Sequence, residues 1–487
     1  MAPDRSAQML NRVWLCSAFL LPLVCLSSVL ADDAVLDIGS RRELFVDPFL
    51  IDSLDGVERR LHHPQPGESV LAFDQPWEGR YSGYVTVFRD GDRLRMYYRG
   101  LPLAGADGSS NEVTCYAESV DGVNWTKPEL GLYEVSGTMA NNVVLADLAP
   151  YSHNFAPFLD VRPGVPDDER YKALAGTSKT GLVAFASGDG LQWRKLADDA
   201  VITEGAFDSQ NVAFWSESEG RYLSYFRVFH NGVRSITRTT SPDFRVWSRP
   251  ELMGYGGAPP EHLYTNQTQP YVRAPHIYLA VAARFMPGRR VVSVVEAESL
   301  GGEAAYSGDC SDVVLLSSRG GAVYDRSFME AFIRPGLGLE NWTSRTNYPA
   351  CGVVEAGDGA LSVYVQRRYG QLSHHLQRFV LRADGFVSMH GSYEGGSFVT
   401  KPIRFSGASL HLNGSTSAAG GIRVEVQDAD GSALDGFGAN ACDEWIGDWI
   451  DRKVSWAGRS DVSALAGKTV RLRFVLRDAD LFAIKFE

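Results

Sequence analysis

The sequence predicts an all-β protein, a five-bladed β-propeller followed by a C-terminal β-sandwich. Five hairpin-like strand pairs follow one another between about residue 75 and about residue 390, a turn pattern built on Ser, Asp and Trp recurs among them, and runs with helical period are nearly absent. Composition agrees. Of 487 residues, 44% are hydrophobic and 22% charged, an ordinary globular balance, while 49 glycines and 20 tyrosines suit strands joined by tight turns.

Residues 1–31 read as a secretory signal. Arg5 and Arg12 supply a positive start, "VWLCSAFLLPLVCLSSVL" an apolar stretch broken by Pro22, and Val29-Leu30-Ala31 a small-residue cleavage site, so the mature chain is expected to be secreted or periplasmic. No later segment is apolar enough to span a bilayer, and no membrane partner is expected once the signal is removed. Cys16 and Cys25 leave with the signal. Cys115, Cys310, Cys351 and Cys442 remain, far apart, and read as buried thiols or at most one or two disulfides rather than a zinc site.

The propeller is expected over 36–392. Its first segment, "RRELFVDPFLID", is a spare strand that could join the last blade and close the ring. The five strand pairs are "YVTVFRDGDRLRMYYRG", "FAPFLDVRPGVPDDERYKALAG", "NVAFWSESEGRYLSYFRVF", "QPYVRAPHIYLAVAARF" and "CGVVEAGDGALSVYVQRR". Each meets a turn such as Asp90-Gly91-Asp92 and is answered by a second strand rich in Tyr, Val and Leu. At about 60 to 70 residues apiece, the units are long enough for four-stranded blades. "SVDGVNW" (119–125), "SGDGLQW" (187–193) and "SPDFRVW" (241–247) mark the turns, with Ser and Asp bonding the turn backbone and Trp packing between sheets. The short helical candidate is "DRSFMEAFI". Residues 395–487, with "SLHLNGST", "IRVEVQDADG" and "TVRLRFVLRDADLFAIKF", read as the sandwich, expected to pack on the propeller or, as the alternative, to bind glycan.

Every first strand has a polar lead-in. These are Tyr81-Ser82-Gly83, Ser152-His153-Asn154, Phe207-Asp208-Ser209-Gln210, Tyr264-Thr265-Asn266-Gln267 and Arg345-Thr346-Asn347-Tyr348. In a propeller the first strands line the central channel, so one end of all of them converges on a shared funnel. The net charge of -12, from 47 Lys and Arg against 59 Asp and Glu, gives no basic patch for nucleic acid and leaves a carbohydrate as the expected partner.

With these units and a trailing sandwich, the chain resembles the five-bladed β-propeller glycoside hydrolases, the invertase and fructanase type (family 32) with relatives among arabinanases and xylosidases (family 43). The resemblance covers nearly the whole mature chain and lies in architecture. That family's acids stand in Asn-Asp-Pro, Arg-Asp-Pro and Glu-Cys-Pro; here the first two lead-ins read Gly79-Arg80-Tyr81-Ser82-Gly83 and His153-Asn154-Phe155-Ala156-Pro157, and none of the three motifs is present. The resemblance implies a carbohydrate site and a glycosidase.

Such chemistry needs two opposed carboxyls, one protonated to assist the leaving oxygen and one ionised as nucleophile or base. Asp208 and Glu261 are the leading candidates by position, followed by Glu78, Asp325 and Glu330. Ser82, His153, Asn154, Gln210, His262, Asn266, Gln267, Arg345 and Asn347 are expected to bind sugar hydroxyls, with Trp77 or Tyr81 stacking on a pyranose face. No cofactor or metal is expected, since no second His or Cys stands at ligand spacing from His153. Two alternatives keep the fold: a noncatalytic glycan-binding propeller, and a glycoside phosphorylase holding phosphate with Arg273, Arg284, Arg289 and Arg290.

Overall fold

The computed structural model describes residues 35–105 and 107–487; the signal segment expected over 1–31 lies outside them. The protein is nearly all β. Strands fill the apolar runs of the sequence, many of them buried on both faces, and among the described residues the one α-helix is Val294–Ser299, started by a capping box between Ser293 and Glu296. "DRSFMEAFI" is not helical. Its Asp325 and Ile333 instead form β-bridges with Ser317 and Val313, along the outer edge of a sheet.

The expected hairpins all form. Gly83–Asp90, Arg93–Gly100, Val113–Ser119 and Val143–Leu145 pair in order; Ala156–Leu159, Tyr171–Ala175, Val183–Ser187 and Arg194–Lys195 repeat the plan, and so do Val212–Ser216, Arg221–His230, Val233–Ser241 and Glu251–Leu252. In the fourth group Leu263–Thr265 and Thr268–Tyr271 both lie against Ala274–Pro287, which pairs on its other side with Asp309–Ser318. In the fifth, Pro349–Glu355, Ala360–Arg367 and His375–Arg382 are completed by Gln65–Ala72 from the other end of the chain. The innermost strands also touch one another in sequence, and the cycle returns on itself where Cys351 bridges Thr86 in parallel.

The strand expected to complete the last group is corrected. "RRELFVDPFLID" does not join it: Glu43 pairs with Ile484 and Leu44 with Ala483, while Ile51–Asp55 and Val57–Leu61 pair with Gly396–Thr400 and Val387–Gly391. The apolar content of the segment explains this. Phe45 and Leu50 are buried with Phe398, Phe474 and Trp456 in the core of the C-terminal sheets, and leaving that core would cost about 1.5–3 kcal/mol for each such side chain. The C-terminal sheets are built on two long strands, Leu410–Gln427 and Arg471–Phe486. A second core, with Leu44, Leu61, Ile277, Val363, Phe386 and Ala483, joins the two halves.

The three Ser-x-Asp turns form as expected. Ser119 Oγ accepts from the Gly122 amide at 2.9 Å and Asp121 Oδ1 from the Val123 and Asn124 amides, and Ser187 with Asp189 repeats the arrangement. The third turn has Phe244 where the others have glycine, at φ 66°. All four described cysteines are buried and unpaired.

Candidate functional site

The starts of the inner strands surround a cavity of about 180 Å³, lined by Tyr81, Gly83, Tyr84, Arg99, Asp208, Arg234, Tyr264, Tyr306, Arg345, Tyr348, Gln366 and Tyr369, with Asp107 at its rim. Backbone strain concentrates here. Tyr84, Gln267, Arg345 and Asn347 all have φ between 51° and 73°, a region that bulky residues rarely occupy. Pairing also slips at these ends, between Gly83 and Thr86, Leu263 and Thr265, and Pro349 and Val353, which interrupts the regular alternation of side chains. A Cβ at Gly83 would lie 2.8 Å from Gln366 Oε1, so any larger residue there would displace that side-chain amide.

Two carboxyls stand in contrasting surroundings. Asp208 Oδ1 is ion-paired with Arg227 Nη2, while its side chain keeps 37% of its surface open to the funnel. Asp309 is more enclosed. Burial raises its carboxyl above the ordinary range, although a hydrogen bond from Ser344 and the nearby guanidinium charges of Arg345 and Arg234 pull the other way. Its Oδ1 is buried with no partner.

Aromatic rings and arginines complete the walls. Tyr264 packs on Tyr348 at 4.9 Å, and Arg99, Arg227 and Arg345 sit over Tyr84, Tyr264 and Tyr306 at 4.7, 4.8 and 5.4 Å. Burial drives the Tyr84 and Tyr348 hydroxyls up and brings Tyr306 to about 12, so these are neutral donors at physiological pH. Tyr81 donates to Glu303 Oε1.

The residues singled out by sequence divide sharply. Asp208 and Arg345 line the cavity. His153 stands one layer behind it, its Nδ1 2.9 Å from Glu112 Oε1 and 3.2 Å from Arg99 Nη1, and Ser82 is buried with Oγ unpartnered. The amides expected to bind sugar are instead committed to the protein. Gln210 Nε2 donates to Val85 O and Thr86 Oγ1 while its Oε1 accepts from Gln267 Nε2; Gln267 also reaches Pro349 O, so the pair stitches neighbouring inner strands together. Asn154 bonds the carbonyls of Gly176, Phe207 and Ser209, Asn347 those of Ser311 and Asn341, and Asn266 that of Tyr225. Such groups close off the backbone beneath the cavity and have little capacity left for a ligand.

Glu261 is clamped between Arg284 Nη1 at 2.8 Å and Arg326 Nη2 at 2.9 Å, and it lines a separate cavity with Asp312 and Arg289. His262 is beside it, its Nδ1 accepting from the Arg234 amide. Glu78 is fully buried, taking hydrogen bonds from Tyr98 Oη at 2.5 Å and Lys127 Nζ at 2.6 Å. Asp325 caps Ser327, and Glu330 is exposed; neither lines the funnel. Of the arginines grouped for phosphate, Arg273 pairs with Asp384 and Glu355, away from Arg284, which pairs with Asp312 and shares the separate cavity with Arg289. Sequence reasoning missed Asp309 and Arg234, which lie on the third strands of their groups rather than at the lead-ins. Tyr84 and Tyr348 were within one residue of the lead-in motifs or at their end, and the chain direction there depends on positive φ values that no residue pattern announced.

No family model and no curated protein matches the chain. Several solved structures do. A β-1,2-mannobiose phosphorylase from Listeria innocua, in complex with β-1,2-mannobiose, shares 9% identity over 66% of this chain and 96% of its own, with a TM-score of 0.44. A structure from a family of mannoside phosphorylases, described as containing glycoside hydrolases that target β-1,2 mannosidic linkages in Candida mannan, gives 14%, 68%, 94% and 0.39, and one described as a glycoside hydrolase gives 11%, 68%, 92% and 0.41. The chemistry of the site rests on its own residues.

Proposed function

We propose that the protein is an exported carbohydrate-active enzyme, a five-bladed β-propeller closed by Gln65–Ala72 and backed by a β-sandwich of residues 36–61 and 387–487, that cleaves a glycosidic bond in the funnel. The observation that carries this reading is a tyrosine-lined cavity with one acid on its wall and a second, unlike acid behind that wall. Asp208 is accessible and arginine-bound on its wall, and Asp309 is enclosed beside the wall residues Arg234 and Arg345, its proton retained above the ordinary carboxyl range. Asp309 is suited to protonate the leaving oxygen, and Asp208 to act as nucleophile or to activate water. Asp309 takes the place given to Glu261, whose charge is already balanced by Arg284 and Arg326. The tyrosine faces provide stacking surfaces for a sugar ring, and the neutral Tyr348 hydroxyl, buried without a partner, provides a donor. A cavity smaller than the roughly 300 Å³ at which drug-sized pockets begin suits one sugar unit at a chain end.

The cyclic contact of five inner strands supports the propeller reading, and the charge and apolar pattern of residues 1–31 supports export. Incubating the secreted protein with a panel of plant and algal oligosaccharides, and following new reducing ends by mass spectrometry, tests the activity. Release of single sugars from chain ends is expected. Binding without any new reducing end across the panel would make this a glycan-binding protein instead.

A further inference from the structure

The funnel is rich in arginine for a chain of net charge -12, although Asp107 and Asp208 also line it. Arg99, Arg234 and Arg345 line it and Arg227 lies in its wall. Only part of this charge has a protein partner. Arg227 is 1% exposed and gives Nη2 to Asp208, yet its Nε and Nη1 are buried and unpartnered, and so are the Nε atoms of Arg99 and Arg234. Among the described residues, neither Arg234 nor Arg345 forms an ion pair, and the acid beside them, Asp309, is one that burial favours in its protonated form. Elsewhere the protein treats arginine differently: Arg284 and Arg319 each have two carboxylates. Bringing guanidinium groups together without counter-charge costs free energy that a bound anion would recover.

We infer that the saccharide taken by the funnel carries an anionic group, a uronate carboxylate or a sulfate ester, and that Arg234 and Arg345 hold it. Guanidinium forks match the planar or tetrahedral oxyanions of both groups. Neighbouring tyrosine rings hold the sugar body while the arginines select its charge. The inference rests on the funnel's being a saccharide site, but not on bond cleavage.

Isothermal titration of the full mature chain decides it, with glucuronate, galacturonate, mannuronate and the 6-sulfates of glucose and galactose each set against its neutral parent sugar, and with inorganic phosphate as a free oxyanion. At least one charged sugar should bind about tenfold or more tightly than its parent, the size of a charge-assisted hydrogen bond. Preference for uronates or for sulfate esters then tells which anion the site is built for. Arg345→Gln and Arg234→Gln should each collapse the ratio of charged-sugar to neutral-sugar affinity toward one. Because Arg345 is exposed and forms no ion pair, Arg345→Gln is expected to fold as well as the parent. The inference fails if no charged sugar exceeds its neutral parent, if phosphate alone binds as tightly as the best charged sugar, or if both variants retain the discrimination. A charged sugar that binds but is never released from any oligosaccharide leaves this inference standing and removes the hydrolytic reading. Cleavage of neutral chains with no preference for charge does the reverse.

Discussion

Asp208 and Asp309 are the same side chain in opposite surroundings, and the difference is a matter of solvent and partners. Asp208 has a guanidinium on one oxygen and open funnel around the rest; Asp309 loses water without gaining a partner for Oδ1. Its raised pKa has two consequences with a definite sign. As a proton donor it fails when ionised, so the rate should fall as pH rises through its folded value, and Asp309→Asn should remove most of the rate and with it that limb of the profile. For stability, a group raised in the folded state contributes fully below its unfolded value of about 3.9, and loses that contribution as pH rises through the folded value. Asp309→Asn should therefore be at least as stable as the parent at neutral pH, which thermal melts at several pH values will show. A merely structural carboxylate would give the opposite result.

At the level of elements, much was legible in the sequence. The five hairpins were visible because each sets two strand-like apolar runs on either side of a short break, and the Ser-x-Asp turns were visible because the same hydrogen-bonding groups recur at the same offsets. The closing strand was not. "RRELFVDPFLID" and "QPGESVLA" both pattern as strands, and what sends the first to the sandwich is the depth of the core waiting for Phe45 and Leu50, which is a long-range fact. The site was half legible for a related reason: polarity at the lead-ins was plain, but whether an amide faces ligand or a neighbouring carbonyl depends on register across strands. Gln210 and Gln267 turned inward to each other.

Phe244 provides a test at this scale. It takes a left-handed backbone conformation where the two sister turns have glycine, a cost of about 1–2 kcal/mol. It remains because its ring is fully buried against Phe158, Tyr222 and Trp247. Phe244→Gly should relieve the backbone yet lose the packing, for a net destabilisation of about 2 to 4 kcal/mol in chemical unfolding. Increased stability would mean that the strain outweighs the core.

Over the whole molecule, the halves are pinned at one buried acid. Asp384 receives Arg42 Nη1 at 3.1 Å, Tyr271 Oη at 2.8 Å, Arg273 Nε at 2.9 Å and Asn413 Nδ2 at 2.8 Å, drawing together the N-terminal segment, the fourth group of strands and the C-terminal sheets. Removing it leaves two partly buried guanidinium groups short of a counter-charge, so Asp384→Ala should cost about 3–5 kcal/mol and broaden the melt as the halves lose their coupling. An unchanged melting curve would show that the apolar core between them suffices alone. That rigidity matters for function, because four separate lead-ins contribute to the funnel lining and no single strand fixes their relative positions.

The central claim is that carboxyls of this funnel break a glycosidic bond. Its most direct test is the turnover number of Asp208→Asn on an oligosaccharide that the parent cleaves, measured alongside the melting temperature. A fall of about a hundredfold or more with the melt shifted by only a few degrees is the predicted result. Full turnover by the variant would contradict the claim.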